Sequence, residues 1–173
     1  MAAAEALATL SGEEKRLLLS AEHPIVLAGR RPGAAIARAV APDTDLVGLI
    51  LPYTPLHHLL TSDARRPLVM TSGNLSENPI VTRDDQAVSE LSGIADVFLV
   101  HDREIESPCD DSVVRVVVGG PAILRRSRGW VPRPIAVADP FPEPVLACGG
   151  HLKNTFAIGV GSAVYLGPHI GDL

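Results

Sequence analysis

A polar loop that is suited to binding phosphate follows a short apolar run near the middle of the sequence. The run is Pro67–Met70, and the loop that follows has Ser72, Gly73 and Asn74 at its centre. The run is typical of a buried strand, and in open α/β sheets ligands lie beyond the carboxyl ends of the strands. Hydroxyl, amide and backbone N–H groups can donate to phosphate oxygens, and glycine allows close backbone approach. The loop is therefore a candidate nucleotide site, although the same residue types also form ordinary turns.

A cluster of arginines begins at the end of a predicted strand later in the chain. Arg125, Arg126, Arg128 and Arg133 fall within nine positions. Guanidinium groups bind phosphate in a fork-like geometry, so Arg126 and Arg128 are candidate phosphate ligands. Arg125 is a weaker candidate, because successive strand residues face opposite ways. The alternative interpretation of the whole cluster is a solvated charged face.

Other polar residues have competing interpretations. Adjacent helical side chains diverge, so His57 and His58 cannot both serve one site, and we expect one to cap or pack. The segment His101–Arg103 could line a cleft or form surface ion pairs. Of Asp110 and Asp111, at most one is a candidate Mg²⁺ ligand, because neighbouring carboxylates before a strand point apart.

Composition and cysteine usage limit the class of protein. The net charge is −5 over 173 residues, which gives no whole-chain field for attracting nucleic acid. Cys109 and Cys148 show no pairing or zinc-ligand spacing, so we expect reduced thiols and no zinc. The amino terminus lacks a signal-peptide pattern, and no apolar stretch reaches membrane-spanning length. The sequence predicts a cytoplasmic protein with no membrane partner.

Helical and strand patterns are mixed along the chain. The predicted helices are Ser11–Ser20, Ala34–Val40, Pro55–Leu60 and Thr82–Ser92. The predicted strands are Pro24–Ala28, Leu46–Leu51, Pro67–Met70, Val97–Val100, Ser112–Val118, Ala122–Arg126, Val145–Cys148, Phe156–Val160 and Ala163–Leu166, with a hairpin turn at Gly161 and Ser162. The predicted fold class is α/β: a twisted mixed β-sheet with flanking helices, followed by a short β-rich segment.

A proline-rich stretch divides the predicted domains. Five prolines lie between Pro132 and Pro144, a density that favours an extended, semi-rigid spacer. We therefore predict a first domain over residues 1–131, a linker over 132–144 and the start of a second domain over 145–173.

Several sequence blocks together resemble one enzyme family. They are LPYTPLHHLL at 51–60, TSGN at 71–74, DDSVVR at 110–115, ILRRSRGW at 123–130, LKNTF at 152–156 and HIGDL at 169–173. Their order resembles the HypF-type carbamoyltransferases of [NiFe]-hydrogenase maturation. Residues from about 10 to 133 resemble the latter part of the YrdC-like domain of that family, and residues 145–173 resemble the first strands of its TsaD-like domain, which has a sugar-kinase/actin-type fold.

The resemblance implies an activity and a set of site residues. The family forms carbamoyl-adenylate from carbamoyl phosphate and ATP with Mg²⁺, and then transfers the carbamoyl group to the C-terminal cysteine of a HypE-like acceptor protein. Ser72 and Asn74 correspond to a nucleotide-binding Ser-x-Asn motif, with Gly73 between them, and Ser112, Arg126 and Arg128 correspond to the wall of the same cleft. The segment Lys153, Asn154 and Thr155 corresponds to a phosphate-contacting hairpin, for which an ordinary turn is the alternative.

Departures from the family pattern leave other functions open. Pro108 replaces an expected arginine, Glu77-Asn78 an expected Gly-Glu, and His151 an expected glutamate. The acylphosphatase domain, the zinc-finger-like repeats, a basic nucleotide motif and the metal-binding histidines of the family are missing, so the chain resembles an internal segment. The alternatives are an O-carbamoyltransferase acting on a small-molecule hydroxyl and a non-catalytic YrdC-like module for nucleotide or double-stranded RNA. A tRNA threonylcarbamoyl-adenylate synthase is disfavoured by the LKNTF and HIGDL blocks.

Overall fold

The chain forms two compact units that are each built from separated stretches of sequence. The computed structural model describes residues 1–76, 78–150 and 154–167. The first unit comprises Met1–Met70 and Asp111–Trp130, and the second comprises Thr71–Asp110 and Val131–Leu173. The predicted Ser72–Asn74 loop therefore belongs to the second unit, whereas the predicted arginine ligands belong to the first.

A mixed β-sheet forms the centre of the first unit. Its elements are α1 (Ala2–Leu7), β1 (Ala8–Thr9), α2 (Gly12–Leu18), β2 (Ile25–Arg30), a 3₁₀ turn (Arg38–Val40), β3 (Leu46–Leu49), α3 (Pro55–Ala64), β4 (Val113–Val117) and β5 (Gly120–Arg125). The strand order is β1-β2-β4-β5, and β3 also pairs with β2. β2 and β4 run parallel, whereas the remaining pairs are antiparallel. This mixed sheet with helices confirms the predicted fold class.

The core of the first unit lies where α2 packs on the sheet. Leu18, Val26 and Val114 are fully buried, with 0% exposure. Burying an aliphatic side chain of this size contributes about 1.5–3 kcal/mol. α2 begins at the predicted capping box, in which Ser11 Oγ accepts from Glu14 N at 3.2 Å and Glu14 Oε2 accepts from Ser11 N at 2.7 Å. Local capping and long-range packing therefore position the same helix.

The second unit contains α4 (Asp84–Leu91) and a long antiparallel pair, β6 (Ile135–Cys148) and β7 (Phe156–Leu166). β6 includes Pro140, Pro142 and Pro144, whose missing N–H groups are tolerated at a strand edge. The register shifts on both sides of Phe141, whose ring lies against Gly159. A Cβ on Gly159 would come within 2.7 Å of that ring, so packing requires glycine there.

Two predicted strands are wrong. Residues 67–70 and 97–100 have no strand structure, and Val69 is 74% exposed and Val97 84% exposed. A strand needs a hydrogen-bonded neighbour, and no strand among the described residues pairs with either segment. Apolar composition alone is therefore insufficient to form these strands.

Smaller corrections follow from local geometry. The predicted turn at Gly161 and Ser162 is wrong, because β7 continues through it: Gly161, with φ of 54°, pairs with Phe141 at a register irregularity. The helix predicted over 34–40 is reduced to the 3₁₀ turn, and α1 was not predicted. Among the described residues, no helix has the length and apolar character that crossing a membrane requires.

Candidate functional site

The Ser72–Asn74 loop is held in shape by its own amide and backbone groups. Asn74 Nδ2 donates to the carbonyl oxygens of Leu75 at 2.9 Å and Asn78 at 3.1 Å. The backbone N–H of Val81 donates to the Gly73 carbonyl oxygen at 2.9 Å, which ties the two sides of the loop together. Asn74 Oδ1 is buried and accepts no hydrogen bond from the described residues. The loop therefore retains one acceptor for a donor outside it.

Gly73 is not required by packing within its unit. A Cβ at this position would lie 3.8 Å from Leu91 Cδ1, which is an ordinary contact. Ser72 is partly buried beside it. The close approach of a ligand to Gly73, and the nucleotide-binding role of the loop, stay predictions.

Ser112 lies inside the first unit. Its side chain is 0% exposed, and its hydroxyl donates to the carbonyl oxygen of Arg128 at 2.8 Å and accepts from the N–H of Ser127 at 2.8 Å. These bonds connect the start of β4 to the segment that follows β5. The hydroxyl therefore links two backbone segments by hydrogen bonds. A contact of Ser112 with nucleotide stays a prediction.

Arg128 is the most extensively bonded side chain of the predicted site. Its Nε donates to Asp111 Oδ1 at 2.6 Å, its Nη2 to the carbonyl oxygen of His23 at 2.6 Å, and its Nη1 to that of Glu22 at 3.2 Å. The guanidinium carbon also lies 3.5 Å from the centre of the Tyr53 ring. All three guanidinium nitrogens are thus engaged within the first unit, and Asp111 balances the charge.

Tyr53 connects this arginine to helix α3. Its hydroxyl donates to Asp111 Oδ1 at 3.3 Å, and the His57 ring packs edge-on against it with 4.5 Å between centroids. Burial raises the pKa of the Tyr53 phenol, the negative charge of Asp111 raises it further, and Arg128 acts in the opposite direction. Tyr53 is therefore a neutral phenol at neutral pH. The packing of His57 agrees with the expected packing role for one of the two adjacent histidines.

Gly129 allows the arginine segment to approach the turn before β2. Its φ is 91°, and a Cβ there would lie 2.5 Å from the Glu22 carbonyl oxygen. Glycine is the residue that adopts this backbone conformation at low cost and leaves the space empty. We call the set formed by Glu22, His23, Tyr53, Asp111 and Arg128 the arginine clasp.

The other arginines of the cluster differ in their surroundings. Arg125 Nε donates to the Asp111 carbonyl oxygen at 2.7 Å, and Arg126 is partly buried. The weaker expectation for Arg125 as a ligand is consistent with this backbone contact. The proposed contact of Arg126 with phosphate stays a prediction.

A cavity of about 390 Å³ lies beside the clasp in the first unit. It is lined by Met1, Leu19, His23, Leu51, Pro52, Tyr53 and His58. Sequence reasoning identified neither this cavity nor the clasp, because the clasp partners of Arg128 lie up to 106 positions away. Tyr53 lies in the LPYTPLHHLL block at 51–60, but that block gives no indication of its contact with Arg128.

The candidate phosphate hairpin of the second unit is partly described. Thr155 Oγ1 donates to the Gly167 carbonyl oxygen at 2.9 Å, and Asn154 Oδ1 is buried without a hydrogen-bond partner among the described residues. Lys153 lies outside the described residues, as do His151 and HIGDL. The phosphate contact of this segment stays a prediction.

Metal-ligand candidates are not clustered in the part of the chain that the structure describes. No group of three or more His, Cys, Asp or Glu side chains there could hold an ion. Asp111 is bonded to Arg128, Asp110 is buried, and His101 Nδ1 accepts from the Arg103 N–H at 3.1 Å. These carboxylates do not form a ligand set for Mg²⁺.

Two family models match different parts of the chain. Residues 1–127 match the Sua5/YciO/YrdC family, described as telomere recombination, and residues 141–173 match the HypF Kae1-like domain. The two matches follow one another in the order that the sequence blocks predicted.

Curated relatives match almost the whole chain. A carbamoyltransferase HypF from Synechocystis is 47% identical over 160 residues, covering 92% of this chain and 21% of the relative. A carbamoyltransferase HypF from Rhizobium leguminosarum is 41% identical over 178 residues, covering 99% of this chain and 23% of the relative. The chain thus spans about a fifth to a quarter of the length of these relatives.

Two solved structures have the same fold over 98% of the chain. A crystal structure of full-length HypF in the phosphate- and nucleotide-bound form gives a TM-score of 0.91 at 43% identity, with 27% of that chain covered. The crystal structure of T. kodakarensis HypF gives a TM-score of 0.91 at 36% identity, with 22% of that chain covered.

Proposed function

Because the chain belongs to the Sua5/YciO/YrdC family and is of the HypF type, we propose that it is a segment of a carbamoyltransferase that forms carbamoyl-adenylate. The observation that carries the proposal is its similarity to a HypF structure in a phosphate- and nucleotide-bound form. The proposed substrates are carbamoyl phosphate and ATP. The proposed acceptor is the C-terminal cysteine of a HypE-like protein, in the route to the cyanide ligands of hydrogenase, and the proposed location is the cytoplasm.

The reaction requires that the substrates are positioned and that charge on the phosphate is stabilised, but it requires no protein nucleophile. Hydrolysis of carbamoyl phosphate by water first gives carbamate and inorganic phosphate. A carbamate oxygen then attacks the α-phosphorus of ATP, the bond from that phosphorus to the oxygen bridging to the β-phosphate breaks, and pyrophosphate leaves with the electron pair. Preorganised donors stabilise the charge that develops on the phosphoryl oxygens. The donors that we assign to this role are the Ser72 hydroxyl and the backbone N–H groups of Ser72 and Gly73. Asn74 is assigned to the nucleotide through its acceptor Oδ1, because its Nδ2 already donates within the loop.

The arginines contribute in two ways under this proposal. Arg126 is assigned to direct contact with phosphate, as are Ser112 and Arg128 by family resemblance. The clasp favours an additional role for Arg128 in holding the first unit together, because its three guanidinium nitrogens already have acceptors. Mg²⁺ would arrive with ATP, and since the described carboxylates do not form a ligand set for it, no step is assigned to a protein-bound metal.

A second activity, O-carbamoylation of a small-molecule hydroxyl, shares the adenylate-forming step and differs in its acceptor. A non-catalytic module for nucleotide or double-stranded RNA would rest on the arginine cluster. RNA retention that falls steeply with salt would favour that module. The clasp argues against it, because Arg128 is compensated by Asp111 rather than presented as a net positive charge.

A chimeric enzyme tests the proposal. The matching segment of the Synechocystis relative would be replaced by this chain, and carbamoyl-phosphate-dependent ATP–pyrophosphate exchange would be measured. We expect exchange in the chimera and its loss in the Ser72→Ala, Asn74→Ala double variant. A folded chimera without exchange, or a double variant with undiminished exchange, would contradict the proposal.

A further inference from the structure

Residues 125–128 are tied at both ends to the residue that precedes β4 by two positions. Arg125 Nε donates to the Asp111 carbonyl oxygen at 2.7 Å, and Arg128 Nε donates to the Asp111 carboxylate at 2.6 Å. Asp111 also forms an isolated parallel β-bridge with Arg128. Asp111 therefore holds this segment through both its main chain and its side chain.

A β-bulge lies immediately before the segment. Val113 pairs with Arg125 and Val114 pairs with Ile123, so Leu124 is an extra residue on β5. A bulge bends its strand and changes the direction of the side chains beside it, and bulges are common next to active sites. The regular alternation of side chains along β5 is therefore interrupted at Leu124, and hydrogen bonds outside the strand ladder determine the course of the residues that follow.

Arg126 is the residue that these hydrogen bonds enclose. Both of its neighbours are bonded, Arg125 through its side chain and Ser127 through its N–H, which donates to Ser112 Oγ at 2.8 Å. Arg126 itself is partly buried. A backbone that is fixed in advance reduces the conformational entropy that is lost when a guanidinium binds phosphate. A displacement of about 1 Å at such a group can reduce a rate about a hundredfold.

The Asp111 carboxylate is itself held in place by the arginine clasp. Its Oδ1 accepts from the Tyr53 hydroxyl at 3.3 Å as well as from Arg128. The other two guanidinium nitrogens of Arg128 donate to the carbonyl oxygens of Glu22 and His23. The clasp thus connects Asp111 to the turn before β2, which makes the carboxylate a rigid support for the residues bonded to it.

We propose that Asp111 is a positioning residue for the contact of Arg126 with phosphate, because it holds residues 125–128 in place before the nucleotide binds. The inference rests on the proposed function, which assigns Arg126 to phosphate. Asp111 touches no phosphate itself, since two negative charges repel each other. Its effect on the nucleotide is exerted only through Arg126.

The test measures ATP binding to the chimeric enzyme by isothermal titration calorimetry. The heat that is lost in the Ser72→Ala, Asn74→Ala variant defines binding at the proposed nucleotide site. Asp111→Asn keeps the volume of the side chain, an acceptor oxygen and the main-chain bond to Arg125, and it removes the charge. We expect this variant to weaken ATP binding about tenfold. Asp63→Asn is the matched control, since Asp63 is exposed on α3, and it should leave binding unchanged.

The direction of the change is informative. Removal of a negative charge near the site would by itself favour binding of an anionic nucleotide. Weaker binding by Asp111→Asn would therefore oppose the general electrostatic effect and agree with the loss of a support. Stronger or unchanged binding would overturn the inference.

A background without Arg126 separates positioning from general destabilisation. If Asp111 acts through Arg126, Asp111→Asn should change the ATP affinity of the Arg126→Ala chimera by less than about twofold. Equal fold-changes in the two backgrounds would overturn the inference. Each variant is checked for folding by circular dichroism. If Asp111→Asn fails to fold, Tyr53→Phe removes the hydroxyl donor to the carboxylate and keeps the ring, and it should weaken binding about threefold only when Arg126 is present.

The inference and the proposed function fail in different measurements. ATP affinity that depends on Asp111 in a folded chimera without ATP–pyrophosphate exchange would refute the proposed function alone. Exchange by the chimera, with the same ATP affinity in Asp111→Asn and Asp63→Asn, would refute the inference alone. Absence of ATP binding at this site in a folded chimera would overturn both.

Discussion

Replacing Arg128 with alanine should destabilise the first unit substantially. The change removes three hydrogen bonds, the contact with Tyr53 and the positive charge that balances the Asp111 carboxylate. A hydrogen bond that involves a charged group contributes roughly 1.5–3 kcal/mol, but the Arg128 and Asp111 side chains are 22% and 32% exposed, so solvent weakens their interaction. We therefore expect the free energy of unfolding to fall by about 3 kcal/mol rather than by the full sum.

Urea unfolding measures this loss through the single tryptophan. Trp130 lies two residues after Arg128 and donates through its backbone N–H to the Ser127 carbonyl oxygen at 3.0 Å, so its fluorescence reports on the first unit. Arg115→Ala is the matched control, because Arg115 is exposed on β4, and its replacement should change the free energy by less than about 0.5 kcal/mol. Arg128→Lys should recover about half of the loss, because an ammonium cannot reproduce the planar fork and the stacking of a guanidinium.

The clasp interpretation would be refuted if Arg128→Ala and Arg115→Ala shifted the urea midpoint equally. A double-mutant cycle with Asp111→Ala separates the pair from the rest of the clasp. We expect a coupling free energy of about 1–2 kcal/mol between the two side chains. If the two substitutions change the free energy of unfolding additively, the ion pair contributes no coupling free energy.

Three further outcomes are expected. Gly129→Ala should destabilise the first unit by about 2 kcal/mol more than Gly119→Ala in the same urea assay, because both glycines have positive φ but only Gly129 has backbone in the way of a Cβ. Raising the pH through and above about 10 should destabilise the native chain more than the Tyr53→Phe variant. Folding raises the pKa of the Tyr53 phenol above its unfolded value of about 10. The phenol therefore contributes stability below about pH 10, and this contribution is lost as the pH rises through the folded pKa. The isolated chain should show no carbamoyl-phosphate-dependent ATP–pyrophosphate exchange above its Ser72→Ala, Asn74→Ala variant, because it covers 21% of an intact relative.

Each of these expectations has an opposing result. Equal urea midpoints for the two glycine variants would show that the close approach to Glu22 carries no cost. Parallel pH profiles for the native chain and Tyr53→Phe between pH 8 and 11 would show that the phenol titrates alike in both states. Exchange by the isolated chain above its double variant would show that this segment contains a complete catalytic site.

Local signals in the sequence were sufficient for the elements that depend on near neighbours. The Ser11 capping box, the Thr54 cap of α3 and the β4–β5 hairpin form as predicted, since each is decided by residues a few positions apart. The order of the sequence blocks was also sufficient to identify the family. The local capping and turn signals and the order of the blocks both depend only on the linear sequence.

Pairing and packing over long separations were decided only by the tertiary structure. The apolar run at 67–70 is not a strand, because a strand requires a partner edge that its own composition cannot supply. The sequence predicts Arg128 as a phosphate ligand, or as part of a solvated charged face, but gives no sign of its acceptors on Glu22 and His23, which lie 106 and 105 positions away. Those carbonyl oxygens come within reach only because parallel pairing of β2 and β4 brings the two stretches together and Gly129 leaves room for their contact.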